Sequence, residues 1–301
     1  MRIGIDLGGT NIAGGLVGDD GKLINKKTTP TLPLRGVDAV VGDIIGLCKA
    51  LVEFSPYPVQ YVGIGCPGVV HPPSQTLVNA PNLGFFNVPL SKMVEDVLRL
   101  PVFLENDANC AALGEMFFGA AKGVQNAVVI TIGTGIGGGI IIDGKLYTGT
   151  FFGAGEVGHQ IIEVNGRACG CGKNGCWEAY ASAAALMRDG ASLGLGQLTA
   201  KDVFDAAHAG DDGAKVIIEN YYNYLCIGLL NIINILQPEI VVIGGGISGQ
   251  GDSLLSAIQN RINLATTRFA IARLGNDAGI VGWGQAPTLV RKTYSRTAVT
   301  R

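Results

Sequence analysis

The chain has 301 residues, enough for one large domain or two moderate ones. Hydrophobic residues make up 48% and charged residues only 15%, with a net charge of -2, so a full core is available and no basic excess offers a nucleic-acid surface. The 46 glycines fall in short runs rather than in a low-complexity tract, which points to tight loops near ligands. Met1 leads within two residues into strand-like Ile3-Gly4-Ile5, so no export signal is expected. The seven cysteines, an odd number, then argue against a disulfide framework.

The N-terminus reads as strand, glycine turn, strand and hairpin. Residues 2–6 are extended, Gly8-Gly9-Thr10 turns, residues 12–17 return, and Asp20-Gly21 turns again into Lys22-Leu23-Ile24. Residues 37–52 read as a helix, because Val37, Val40, Val41, Ile44, Cys48 and Leu51 recur at three-to-four spacing. Residues 61–65 form a strand entering the loop Cys66-Pro67-Gly68. Residues 90–98 are a helix candidate, and residues 102–104 form a short strand delivering Glu105-Asn106-Asp107.

The pattern then restarts. Residues 127–132 are a strand, Gly133-Thr134-Gly135 a turn, residues 136–142 the return, and Asp143-Gly144-Lys145-Leu146 a hairpin turn. Asp-Gly-Lys-Leu occurs at both Asp20 and Asp143, ten residues after Thr10 and nine after Thr134. This weak internal repeat suggests two related halves, each opening with a hairpin whose turn faces a shared cleft. Residues 216–236 are long and apolar, but they hold Glu219, Asn220, Asn223, Asn231 and Asn234, with Asn231 and Asn234 on one helical face. A buried amphipathic helix ending before Pro238 is expected there, not a membrane span. Residues 240–243 read as a strand running into Gly244-Gly245-Gly246, with a helix from about 252 to 264. The tail after Pro287 is basic and thin in core residues, and reads as a helix end with a solvated terminus.

The spacing G-x-G-x-x-G matches three times, from Gly63, Gly133 and Gly244, which shows how little it specifies alone. A strand, not a helix, follows the second match; the first carries Pro67; the third lacks a clear acidic residue at the end of a following strand. A dinucleotide fold is therefore disfavoured. Gly139 to Lys145 approximates a Walker loop, but Leu146 stands where a Mg²⁺-binding hydroxyl is needed. What remains is Asp6-x-Gly8-Gly9-Thr10 and Gly133-Thr134-Gly135, two strand-turn-strand loops with backbone N–H groups and a hydroxyl for phosphate oxygens. Either could also be an ordinary hairpin turn.

Cys169, Cys171 and Cys176 place three thiols within eight residues, and His159 lies ten residues before Cys169. Three sulfurs and one imidazole complete a tetrahedral Zn²⁺ with no open position, so the expected site is structural. Cys48, Cys66, Cys110 and Cys226 sit in apolar surroundings and read as core.

Together, Asp6-Leu-Gly-Gly-Thr10, Glu105-Asn-Asp107-Ala-Asn109, Thr131 to Gly139, Glu156-Val-Gly-His159 and Cys169 to Glu178 resemble the ROK family of bacterial glucokinases, related hexose and hexosamine kinases, and sugar-responsive repressors. The resemblance runs from Met1 to about Gly284. It implies an α/β chain with the duplicated actin/hexokinase-type (ribonuclease H-like) fold, two lobes around a cleft. The expected small lobe spans residues 1–107, with a C-terminal helix at about 286–301 packing back on it; the large lobe, residues 108–285, carries the zinc loop. It further implies a cytoplasmic, ATP-dependent kinase acting on the primary hydroxyl of a hexose, with glucose the first expectation. N-acetylglucosamine, N-acetylmannosamine or fructose kinase is the alternative, and a non-enzymatic sugar sensor a remote one.

By the same resemblance, Asp107 is the catalytic base, and Asn82, Asn106, Glu156, His159, Glu178 and Gly68 contact the sugar. Gly8, Gly9, Thr10, Gly133, Thr134, Gly135 and the loop Gly244, Gly245, Gly246 contact ATP, and Asp6 is an indirect partner of Mg²⁺. His159 serves twice, with one ring nitrogen on zinc and the other facing the sugar. Hexose and ATP are the expected partners, with no nucleic acid and no membrane, in a homodimer or homotetramer. Asp107 could equally cap the helix that follows it. Two residues depart from the family pattern: Asn11, where many relatives carry Lys, and His71, where Asp is common. Phe85 or Phe86 supplies the aromatic usual after Asn82. The repressor branch carries an N-terminal helix-turn-helix extension, for which a fold beginning at Ile3 leaves no room; a cytoskeletal or chaperone ATPase needs neither the sugar-binding acids nor the zinc cluster.

Overall fold

The computed structural model describes residues 1–194, 198–263 and 266–283; the helix expected at 286–301 and the tail after Pro287 lie outside the described residues. The first part of the chain forms β1 (Arg2–Leu7), β2 (Asn11–Val17), β3 (Leu23–Pro30), α1 (Val37–Phe54), β4 (Val62–Cys66), β5 (Val69–His71), β6 (Thr76–Ala80), β7 (Phe85–Val88), α2 (Leu90–Leu98), β8 (Val102–Asn106) and α3 (Asp107–Phe118). The remainder forms β9 (Ala127–Ile132), β10 (Ile136–Ile142), β11 (Lys145–Tyr147), α4 (Glu178–Ala181), α5 (Ala183–Gly190), α6 (Ala200–His208), α7 (Asp212–Leu236), β12 (Ile240–Gly244), α8 (Asp252–Arg261), β13 (Arg268–Ile271) and α9 (Ala278–Gly282).

Two five-stranded sheets carry the fold, in the orders β3-β2-β1-β4-β8 and β11-β10-β9-β12-β13. These are the same order twice. In the first, β1 to β3 are an antiparallel meander and β1, β4 and β8 run parallel. In the second, β10 and β11 are antiparallel and β9, β12 and β13 are parallel. The repeated Asp-Gly-Lys-Leu falls at equivalent hairpins, between β2 and β3 and between β10 and β11. A small sheet of β5, β6 and β7 completes the strands.

The described residues divide into two compact units: 1–125, 139–154 and 277–283, and those within 126–138 and 155–276. Strand β10 is shared between them. The first unit continues past Asp107, because α3 packs on the first sheet: a Cβ on Gly65 would lie 3.3 Å from Cys110 Sγ. Gly4, Gly63 and Gly65 make that face of the sheet nearly bare. A Cβ on Gly63 would sit 2.1 Å from the Trp283 ring and one on Gly4 2.1 Å from Ile280 O, so glycine lets α9 and the residue after it lie directly on β1 and β4. On the other face, α1 buries Val40, Val41, Ile44, Leu47, Cys48 and Leu51, each large aliphatic contributing about 1.5–3 kcal/mol on leaving water.

The second unit has its own core, in which Val128, Ile130, Val241 and Ile243 of the sheet meet Tyr221, Leu225, Leu229, Ile232 and Ile233 of α7. Helix α7 is long and apolar enough to cross a membrane by length and composition, but it spends its apolar face in this core. Its start is capped by Asp211, which accepts from Ala214 N–H, and it ends at Gln237 in a left-handed conformation just before Pro238.

Candidate active site

The register of the first sheet aligns Asp6 with Gly65, Gly65 with Glu105, and Cys66 with Asn106. Asp6, Glu105 and Asp107 therefore gather at the carboxyl ends of three parallel strands, where open α/β sheets bind ligands. The Cys66 and Cys110 thiols beneath them are pushed well above the usual range, first by burial and then by these three carboxylates. Burial also raises Asp6; the Lys26 ammonium opposes the rise and Asp277 adds to it, and Lys26 Nζ itself lies 2.5 Å from Asp277 Oδ1.

The residue that caps α3 is Asn106, not Asp107. Asn106 Oδ1 accepts from Asn109 N–H at 3.1 Å, while Asp107 occupies the first helical position with Oδ1 accepting from Ala108 N–H at 2.7 Å. Asn106 Nδ2 donates to Gly68 O at 3.1 Å. Gly68, at φ 82°, has its Cα within contact of Asn79 O, so that a Cβ would lie at 2.1 Å. Asn82 is exposed on a short turn between β6 and β7, and of the two aromatics after it Phe85 is core while Phe86 is 64% exposed. His71 Nδ1 faces Ser74 Oγ at 2.7 Å, and its ring meets Phe152 edge-on.

The glycine turns separate into two kinds. A Cβ on Gly8 would meet Asn11 O at 2.9 Å and one on Gly245 would meet Ile132 O at 2.4 Å, so the backbone itself demands those two, while one on Gly135 would meet the movable Glu178 Oε2 at 2.5 Å. A Cβ on Gly9, Gly133 or Gly246 would meet nothing within 4 Å. The Gly8 and Gly133 N–H groups are spent inside their turns, on Asn11 O and Gly135 O, both at 3.0 Å; exposed Gly9 and Thr10 form the tip of the first turn. In the second unit β9 pairs in parallel with β12 up to Thr131 and Gly244, so the Gly133 to Gly135 turn and the Gly244 to Gly246 loop, whose Gly245 O accepts from Ser248 Oγ at 2.7 Å, leave the same carboxyl end of the sheet.

The ligand atoms of His159, Cys169, Cys171 and Cys176 all lie within 4.8 Å of one another. Cys171 Sγ is 3.5 Å from Cys176 Sγ, and Cys169 Sγ is 3.6 Å from His159 Nδ1. A tetrahedron with Zn–S of about 2.3 Å and Zn–N of about 2.0 Å spaces its ligand atoms about 3.5–3.8 Å apart, so the donor set and its spacing both fit zinc. The loop can close this tightly because Gly175, at φ 83°, lies where a Cβ would fall 1.8 Å from Glu163 O.

With Nδ1 facing the sulfurs, His159 Nε2 faces Glu156 Oε2 at 3.8 Å. Glu178 places Oε1 3.0 Å from Cys169 Sγ and Oε2 3.3 Å from Ile136 N, so it stands between the metal cluster and the Gly135 turn. Burial raises the Glu156 carboxyl, with His159 opposing and Glu178 adding. Behind them, Gln160 donates to Gly228 O and accepts from Asn231 Nδ2 at 3.1 Å, which explains one polar residue on the apolar α7. Arg167 reaches both Ala179 O and Asp189, and Tyr180 Oη accepts from Arg167 N–H at 2.6 Å, fastening the loop to α4. Sequence reading found neither of these supports nor the Glu105–Asn109 contact; only the repeated Asn on α7 hinted at the first. The other cysteines are buried, as expected, with Cys48 pushed up to about 12 and Cys226 up to about 11 by burial.

Twice-repeated sheets with a glycine turn after the first strand of each define the duplicated α/β fold of the hexokinase-like sugar kinases. The ROK family model matches residues 2–289, and the chain belongs to that family. It is 38% identical over 307 aligned residues to a glucokinase of Halalkalibacterium halodurans, covering 94% of this chain and 93% of that one. Among solved structures, a ROK family glucokinase from Streptomyces griseus in complex with glucose and AMPPNP superposes with a TM-score of 0.85 at 35% identity, over 95% of this chain and 98% of that one. A ROK hexokinase from Thermus thermophilus gives 0.82 at 32% identity, over 98% and 99%.

Proposed function

We propose that the protein transfers the terminal phosphoryl group of ATP to the primary hydroxyl of a hexose, with glucose the first substrate, giving glucose 6-phosphate and ADP. The observation that carries this reading is the placement of Asp107 at the end of a parallel strand and the start of α3, across β4 from Asp6, in a chain similar throughout its length to glucokinases. As the sugar oxygen attacks the γ-phosphorus, Asp107 accepts its proton and the β–γ bridging oxygen leaves with ADP.

In the first unit, Asn82 and Gly68 face the sugar, Thr10 and Gly9 face phosphate, and Asp6 acts on Mg²⁺ through water. Asn106 holds the Gly68 loop in place and contacts the sugar from that position. In the second unit, Glu156, His159 and Glu178 take sugar hydroxyls, while Gly133, Thr134 and the Gly244 to Gly246 loop take the nucleotide. Zinc, held by His159, Cys169, Cys171 and Cys176, supplies structural cross-linking only. Two large contact-defined units support the two-lobe reading, and reduced zinc thiolates with ATP use support a cytoplasmic place.

Asp107→Asn should reduce ADP release to background while glucose still binds by calorimetry; turnover near wild type would sink the base assignment. The same assay run across glucose, mannose, fructose, N-acetylglucosamine and N-acetylmannosamine ranks the acceptors, and a preference for an N-acetyl sugar would replace glucose in this reading.

A further inference from the structure

We propose that Glu105 is a positioning residue for phosphoryl transfer, braced against Asn109 so that the peptide presenting Asp107 is held in one place. The proposal rests on the reading of Asp107 as the base. Glu105 is 2% exposed, as is Asn109. Glu105 Oε1 accepts from Asn106 N–H at 2.9 Å and from Asn109 Nδ2 at 3.1 Å. Asn109 N–H in turn donates to Asn106 Oδ1, and Asn106 Nδ2 to Gly68 O. Three hydrogen bonds thus close a ring across the strand-to-helix junction, and Asp107 is the one residue of the 105–107 segment whose carboxylate is aimed at Ala108 N–H rather than into the ring.

Stability alone does not call for this arrangement. A buried carboxylate is costly even when hydrogen-bonded, and replacing a buried polar pair with well-packed apolar residues is often neutral or stabilising. Asn109 Oδ1 is moreover buried without a hydrogen-bond partner among the described residues, a further cost. The neighbours of Asn109 on α3 include Ala112 and Leu113, both fully buried, so an apolar pair would be at home there. The cap on α3 is already supplied by Asn106. What Glu105 adds is a fixed peptide plane immediately before the base, and a displacement of about 1 Å at a reacting group costs about 10²-fold in rate.

The discriminating variant is the double substitution Glu105→Met with Asn109→Leu, which removes the brace and keeps the volume. It is compared with Glu105→Gln, whose amide oxygen can still accept both bonds, and with Asp107→Asn. Steady-state kinetics, glucose binding by calorimetry and thermal unfolding are measured on each full chain. The expected result is an apolar pair at least as stable as wild type, a glucose Kd within about threefold, and kcat lower by about 10- to 100-fold. Glu105→Gln should recover most of that loss.

Wild-type kcat in a folded apolar pair, or a loss expressed in KM with kcat intact, overturns the proposal. If the apolar pair does not fold, Asn109→Ala, which removes the amide and favours helix, is held to the same kcat and Kd expectations. An active Asp107→Asn enzyme would instead remove the base assignment beneath the proposal, and is seen separately in that single variant.

Discussion

At the scale of single residues, the two kinds of glycine make opposite predictions. Gly133 has open space where its Cβ would be, so Gly133→Ala should leave the melting temperature unchanged. If the phosphate occupies that space, the same methyl should raise the KM for ATP by about tenfold or more while the KM for glucose stays put. An unchanged KM for ATP would remove Gly133 from the nucleotide site. Gly135→Ala instead drives a methyl to 2.5 Å from Glu178 Oε2 and should weaken glucose, because Glu178 must turn away from Ile136 N–H. The sequence marked both glycines as phosphate ligands, since spacing alone does not tell whether a missing Cβ makes room for a ligand or for a neighbouring side chain. The same blindness left the helix cap open to Asp107: Asn106 and Asp107 are both good caps, and only backbone geometry, with Asn106 extended at φ -64° and ψ 145°, decides between them.

At the scale of elements, strands and helices with a strong period were legible. The β1–β2 hairpin, α1, α2, β9 and β10 follow from alternation or from three-to-four spacing. The small sheet was not, because β5, β6 and β7 are only three to five residues long and the segments around them hold Pro67, Pro72, Pro73, Pro81 and Pro89, which break any period. Strand β13 escaped for a similar reason: its four residues include none that is fully buried. Helix α7 was recognised, yet its central Gly228 carried no reading. The structure supplies one, since a Cβ there would lie 2.1 Å from the ring of Trp177, which is fully buried and donates from Nε1 to Tyr224 O at 2.9 Å. Gly→Ala within a helix ordinarily gains about 1 kcal/mol, whereas overpacking costs about 1–3 kcal/mol. Gly228→Ala should therefore lower the melting temperature, and because Glu178 follows Trp177 it should also raise the KM for glucose. A gain in stability would show that Trp177 has room to move.

At the scale of the whole molecule, the doubled strand order makes the two sheets equivalent, and their differences are then informative. The first unit places carboxylates at its strand ends. The second repeats the glycine turn without those carboxylates, has a second glycine loop after β12, and adds the segment from Glu156 to Cys176, which has little core of its own: Ile161 and Val164 are 56% and 81% exposed. Hydrophobic burial cannot hold such a segment, so its order depends on the metal and on the bonds from Arg167 to α4. Removing zinc takes away the cross-link among four ligands and leaves the bonds of Gln160 and Arg167 in place, so the second unit should loosen near His159 without unfolding. Equilibration with a strong chelator should thus lower the melting temperature and raise the KM for glucose, with the KM for ATP nearly unchanged, because the Gly133 and Gly244 loops are built on the paired carboxyl ends of β9 and β12. Restoring about one equivalent of Zn²⁺ should reverse both effects. Purified protein free of zinc at full activity would show that the three sulfurs and the imidazole are not a metal site. A parallel rise in the KM for ATP would show that Glu178, which touches both the cluster and the Gly135 turn, transmits the loss to the nucleotide loops.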